Sequence, residues 1–245
     1  MTFVMGYRNT KTLTEKMHNT TQKLSILDQL MLLAIDDNKG TFVSDYSIFG
    51  YCLAGAALYD LTLKGKIVIE NERVKVINRE KVNDLALDKC LEMIDQSKKE
   101  RKVKTWIDKL GQREKSLRKH SLNKLIGLNI LEEKEDKILW IFSNNKYPTK
   151  NEIPENVIRK RLMDIIQEEQ SPDNNDIMLI SLVNACSLNK EVYGKKVAKE
   201  KKKEIKAIIK NYQFADETST LIKEIHESII AALTIIMIVP VIAAT

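Results

Sequence analysis

Glycine and proline are scarce, at eight and four in 245 residues. So few chain breakers exclude a turn-rich sandwich or barrel and favour long helices. Cysteine is scarcer still. Cys52, Cys90 and Cys186 are odd in number, far apart and without a Cys-x-x-Cys pair. That excludes a disulfide framework or zinc knuckle and predicts reduced, buried thiols. His18, His120 and His226 have no metal-ligand spacing, and neither Gly-x-Ser-x-Gly nor His-Glu-x-x-His occurs. Leu63-Lys64-Gly65-Lys66 suggests a phosphate loop only superficially. Asp60 stands where the loop's first glycine belongs, and Ile67 replaces the hydroxyl that would hold magnesium. Asp36-Asp37 reads as a helix stop before Gly40 rather than as paired catalytic acids. The chain is therefore read as no enzyme, with no catalytic residue, no metal site and no cofactor.

What is present is an ordinary globular balance, 43% apolar and 30% charged, with a formal net charge of +6. The length is ample for a core. Basic runs at Lys98–Lys104 and Lys195–Lys206 favour anionic partners, either phospholipid headgroups or nucleic acid. Interruption by Glu100, Glu200 and Glu204 also fits plain solvated helix faces. Residues 1–23 lack the apolar stretch of a signal peptide and read as a polar tail before one domain over 24–245.

Helical punctuation is clear at the start of that domain. Ser25 with Asp28 forms a capping-box pattern, and Leu27, Leu30, Met31 and Ala34 recur on one face. Gly40 can end the segment with a positive φ. A second helix over about 47–63 carries Gly50, Ala54, Gly55, Ala56 and Ala57, small enough for close backbone approach. Lys66–Glu70 and Val74–Asn78 predict a hairpin around Asn71-Glu72-Arg73. Further helices are expected over about 84–96, 103–110 and 115–128, then after Pro154, over 177–186, 194–212 and 218–244. A second hairpin is expected from Ile130–Glu133 and Lys137–Phe142, turning through Lys134-Glu135-Asp136.

The order KLSILDQLMLLAIDDNKGTF, CLAGAALYDLTLKGKIVIE, Thr105-Trp106-Ile107-Asp108-Lys109-Leu110, then Glu114–His120 resembles the Golgi phosphoprotein 3 family. Tyr147-Pro148 and Arg159-Lys160-Arg161-Leu162 continue it. The resemblance implies a mainly α fold, a single helical domain around a buried central bundle with two short β-hairpins. It also implies phosphatidylinositol 4-phosphate binding by a peripheral membrane protein, acting as an adaptor. Two cations of the family's basic helix align with Lys115 and Arg118, the predicted headgroup-binding residues. Independently, helical spacing puts 115, 118, 122 and 125 on one face, so the cations extend the stripe of Leu122 and Leu125. Two positions depart from the family pocket. Its Leu-Arg-Gly is Leu53-Ala54-Gly55 here, and its tryptophan position falls near Asp45, an acid that repels phosphate.

The second hairpin is a candidate membrane contact, through Trp140 and Ile138. Packing of that strand on the bundle is the plainer reading. Ile229–Ala244 is sixteen residues long and contains Pro240, so it is read as a buried helix rather than a span of about twenty residues. Only Arg8, Lys11, Lys16 and Lys23 make the tail basic, which argues against coat binding. The expected partners are anionic phospholipid headgroups at the cytoplasmic face of a membrane, with protein clients and a homo-oligomer left open. Nucleic acid ranks below lipid. The alternatives are a soluble helical interaction scaffold and a nucleic-acid-binding helical protein.

Overall fold

The computed structural model describes residues 24–36, 39–138, 142–211 and 217–242, with side chains throughout except at 46–47, 135–138, 142–145, 211, 217–219 and 235–242. The tail over 1–23 lies outside the described residues. Helix α1 (Ile26–Leu33) starts as its capping box predicts. The Ser25 hydroxyl accepts the Asp28 N–H at 3.1 Å, and the Asp28 carboxylate accepts the Ser25 N–H at 3.3 Å. Its stripe is wide enough that every residue from Ile26 to Ile35 is buried. Gly40 follows with φ 64°. A side chain there would strike Pro148 and Tyr147 backbone atoms within 2.8 Å, so this turn requires glycine for space as well as conformation.

Helix α2 (Tyr46–Leu63) is the axis of the domain. Residues 52–61 are buried without exception, which a helix tolerates only when neighbours cover every side. It packs on α1, α3 (Leu85–Asp95), α4 (Val103–Gly111), α5 (Glu114–Gly127), α7 (Asn174–Ala185) and α11 (Glu217–Ile242). Its glycines make that crowding possible. A Cβ on Gly50 would lie 2.7 Å from the Gly111 carbonyl oxygen, and one on Gly55 2.5 Å from Ile229 Cδ1. Burial of each leucine in such a core stabilises by about 1.5–3 kcal/mol relative to exposure.

The first hairpin pairs β1 (Ile67–Glu70) with β2 (Arg73–Val76), Glu70 facing Arg73. Asn71 and Glu72 both take positive φ, at 51° and 60°, the conformation a two-residue hairpin turn demands. A short third strand, β3 (Arg101–Lys102), joins β2. It divides the run Lys98–Lys104 between a sheet edge and the start of α4, so that run forms no helical basic face.

The second hairpin corrects the expected register. Strands β4 (Lys134–Ile138) and β5 (Phe142–Lys146) pair Lys134 with Lys146 and Ile138 with Phe142. Lys134-Glu135-Asp136 is thus strand, not turn. The acids suggested a turn by composition, but Leu131 bridges Thr149 and sets a ladder in which polar residues pair across the strands. Residues 139–141, Trp140 among them, lie outside the described residues.

Pro154 lies in the first turn of α6 (Ile153–Ile166), as expected. Asp173 and Asp176 cap α7 reciprocally. A five-residue α8 (Asn189–Tyr193) follows, and the single helix expected over 194–212 is two, α9 (Lys195–Glu200) and α10 (Lys202–Asn211). Helix α11 buries Leu221, Ile222, Ile225, Ile229, Ala232 and Leu233 against α2, α4 and α7. Among the described residues no helix is long and apolar enough to cross a membrane. The architecture is one mainly α domain with hairpins at its edge, and Cys52, Cys90 and Cys186 are free and buried within it.

Candidate functional site

Helix α5 begins without a side-chain cap and places Glu114, Lys115 and Arg118 on its first two turns. Leu122 and Leu125 are buried below them, so the predicted face exists. Its two cations differ in kind. Lys115 is exposed. Arg118 is only 20% exposed, with its Nε 3.0 Å from the Glu114 carboxylate. Its guanidinium carbon also sits 4.7 Å from the Phe42 ring centroid, a stacking distance at which the ring face attracts the cation.

Phe42 is held in turn. Its ring centroid lies 6.0 Å from Phe49 and 6.5 Å from Tyr147, the latter edge-on. The Tyr147 N–H donates to the Gly40 carbonyl at 2.8 Å, and Ile35 bridges Phe42. Arg118 is therefore fixed from two sides before any ligand arrives, whereas Lys115 is free to reach. Burial raises the pKa of Glu114 above the ordinary carboxylate range, against the opposing pull of Arg118 and Lys115. An incoming anion would compete with this carboxylate for Arg118.

The two departures from the family pocket have different places. Ala54 is fully buried inside α2, while Asp45 is exposed and supplies the carbonyl for the first turn of that helix, accepting the Phe49 N–H at 2.9 Å. Trp106 is buried in α4 and is core rather than binding surface. Ile138 pairs with Phe142 at the end of β4, and Trp140 lies outside the described residues. The cations of α6 are occupied elsewhere. Arg159 contacts Glu155 and donates to the Glu191 carbonyl at 2.7 Å, and Arg161 meets Asp176 at 2.7 Å and Gln29 at 2.9 Å.

Two polar centres had no clear signal in the sequence. Lys124 bridges Asp28 and Asp84, while the Ser121 hydroxyl donates to Asp28 at 2.8 Å. Burial alone would lower the lysine's pKa, but the two carboxylates hold it above its ordinary value. Asp60 is buried and accepts the Ile26 and Leu27 N–H groups, each at 3.0 Å, as a second cap on α1 supplied by α2. Spacing could not reveal either, since the partners are 33 to 96 residues apart.

Asp60, Gln29, Arg161 and Asp176 also line a cavity of about 610 Å³. The polar groups of these four are engaged with each other or with helix starts, so the cavity is walled by capping contacts. A smaller cavity of about 360 Å³ contains Ser181 and His226, whose Oγ and Nδ1 are hydrogen-bonded. Burial lowers the His226 pKa, against the opposing pull of Glu227, and so favours the neutral imidazole. Ser181 lies mid-helix, where the backbone N–H groups are spent on the helix itself, so its own helix offers it no oxyanion donor. Among the described residues no group of three His, Cys, Asp or Glu side chains is placed to hold a metal ion. The family model described as Golgi phosphoprotein 3 (GPP34) matches residues 26–225 of the chain.

Proposed function

Since the chain belongs to the Golgi phosphoprotein 3 (GPP34) family, we propose that it is a non-enzymatic peripheral membrane protein that binds anionic phospholipid headgroups through Lys115 and Arg118. The observation that carries this reading is the immobilised Arg118 beside a reaching Lys115 at the start of α5. A fixed planar guanidinium and a mobile ammonium suit a phosphomonoester, which needs one oriented fork and one adaptable point charge. Asp45 and the missing arginine at Ala54 weigh against strict selection of phosphatidylinositol 4-phosphate. The proposed ligand class is therefore anionic headgroups, with the phosphoinositide a member of it. The β4–β5 hairpin would add an apolar contact, and the membrane would be met on its cytoplasmic face. An adaptor role toward protein clients follows the same family reading.

The pairing of Arg118 with Glu114 favours a second reading, a soluble helical interaction scaffold whose α5 cations serve structure. Vesicle sedimentation separates the two. Neutral, phosphatidylserine and phosphatidylinositol 4-phosphate vesicles are compared for wild type, Lys115→Ala and Lys115→Ala/Arg118→Lys, with melting temperatures as a control. Headgroup-dependent binding that weakens stepwise in the variants supports the membrane reading. Absence of binding to every vesicle by all three folded proteins would leave the scaffold.

A further inference from the structure

We infer that α9 and α10 form a second, purely electrostatic docking surface for an anionic bilayer, separate from the Lys115–Arg118 site. Residues 195–210 contain eight lysines and two glutamates, a net +6 that equals the formal excess of the entire chain. The remaining residues balance to zero. All the positive bias of this molecule is thus invested in two consecutive short helices.

Their geometry turns composition into a surface. Lys201, with φ −93° and ψ 17°, breaks the helix between α9 and α10, while its N–H donates to Val197 at 2.8 Å and its carbonyl accepts the Ile205 N–H at 3.0 Å. At 100° per residue, Lys195, Lys196 and Lys199 fall within an arc of about 100° on α9, and Lys202, Lys203, Lys206 and Lys210 within an arc of about 100° on α10. All seven are exposed. The lysines span about 6 Å of α9 and about 12 Å of α10. On α10 Ile205 is buried outside the lysine arc and Ile208 packs on the core opposite it, which fixes the roll of the helix. Glu200 and Glu204 fall outside the lysine arc, and Glu204 pairs with Lys201 at 3.6 Å, the one lysine of the eight that is not fully exposed. The acids that interrupt the run in sequence therefore do not interrupt it in space.

The chemistry selects the partner. The stripe has no arginine, so it lacks the planar fork that reads phosphates or base edges bidentately, and it has no aromatic ring for base stacking. Lysine-only faces act as diffuse point charges. That suits a leaflet of anionic lipids, where each lysine adds attraction without fixed stoichiometry. The inference extends the membrane reading above but uses none of its residues, so the two can fail separately.

The test is sedimentation of the full chain with phosphatidylcholine vesicles containing phosphatidylserine and no phosphoinositide. Lys199→Gln, Lys203→Gln, Lys206→Gln and Lys210→Gln combined should lower partitioning roughly 100-fold or more, whereas Lys115→Ala should change it by no more than about fivefold. Arginine at the same four positions should preserve binding. Because these side chains are exposed, melting temperatures should stay at the wild-type value. Undiminished binding of the glutamine variant would overturn the inference, as would loss of binding in the folded arginine variant. Preference for duplex DNA over these vesicles at equal salt would overturn the choice of a bilayer. Loss of only the phosphoinositide-dependent increment in the Lys115 and Arg118 variants, with serine-lipid binding intact, would report on the headgroup site alone.

Discussion

Asp60 is an acid in a place where the start of α1 calls for negative charge and the surrounding core opposes it. Burial prevails over the two amide hydrogen bonds and pushes its pKa up to about 7. Because the folded value lies above the ordinary carboxyl value, the folded protein holds the proton more tightly. The resulting stability is complete below about pH 4 and is lost as pH rises through about 7. Asp60→Asn should remove this dependence, so the stability difference between wild type and variant should change by on the order of 3 kcal/mol between pH 4 and 8. Urea denaturation at the two pH values measures it. His226 acts in the opposite sense, since its lowered pKa adds stability above its ordinary value of 6.5 that fades as pH falls through the folded value. Glu114 supplies a binding counterpart. With its carboxyl raised above the ordinary range by burial, mild acid should neutralise it and release Arg118. Glu114→Gln should bind anionic vesicles more tightly at neutral pH and lose most of the acid enhancement. The shared face of Lys115 and Arg118 was legible from helical spacing, as Glu114 could have been, but Phe42 beneath the cation was not. An i,i+4 pair can be read on a helix, whereas a ring 76 residues upstream of its cation requires the tertiary fold.

At the scale of elements, α2 shows why small residues cannot be treated alike. Alanine at Gly50 would press its Cβ on the Gly111 backbone oxygen, which cannot move without α4. Alanine at Gly55 would meet side-chain atoms, Ile229 Cδ1 at 2.5 Å and Ile225 Cγ2 at 3.1 Å, rather than backbone. Each gains up to about 1 kcal/mol of helix propensity. Gly50→Ala should nevertheless destabilise by about 1–3 kcal/mol, while Gly55→Ala should be close to neutral, as thermal melts of the two variants would register. Lys124→Met should cost about 2–3 kcal/mol, less than a fully buried pair because the lysine is partly exposed, by leaving Asp28 and Asp84 facing one another. Helix starts were readable because caps are local, as Ser25 with Asp28 and Pro154 demonstrate. The β4–β5 register was not. It depends on the bridge of Leu131 to Thr149, a pairing that no local pattern encodes.

At the scale of the molecule, α11 closes the bundle, meeting α2, α4 and α7 together. The apolar run Ile229–Ala244 invited a membrane span, yet Ile229 seats beside Gly55 in the core, and the side chains from 235 onward lie outside the described ones. Removing residues 217–245 should therefore abolish cooperative unfolding and expose apolar surface, detectable as a lost thermal transition and increased dye binding. Retention of a sharp transition would contradict the role assigned to this helix. The central bundle was legible because its helices are long and their buried faces broad. The division of one expected helix into α9 and α10 was not, since every residue around Lys201 favours helix and nothing in composition marks the break.

The contact between Gly40 and Tyr147 makes the domain's edge a lever. Tyr147 is the first residue after β5, its N–H is tied to Gly40, and its ring bears edge-on on Phe42, the floor beneath Arg118. No side chain larger than hydrogen fits at the fulcrum. A tilt of the strand pair would therefore press on the ring that carries the cation.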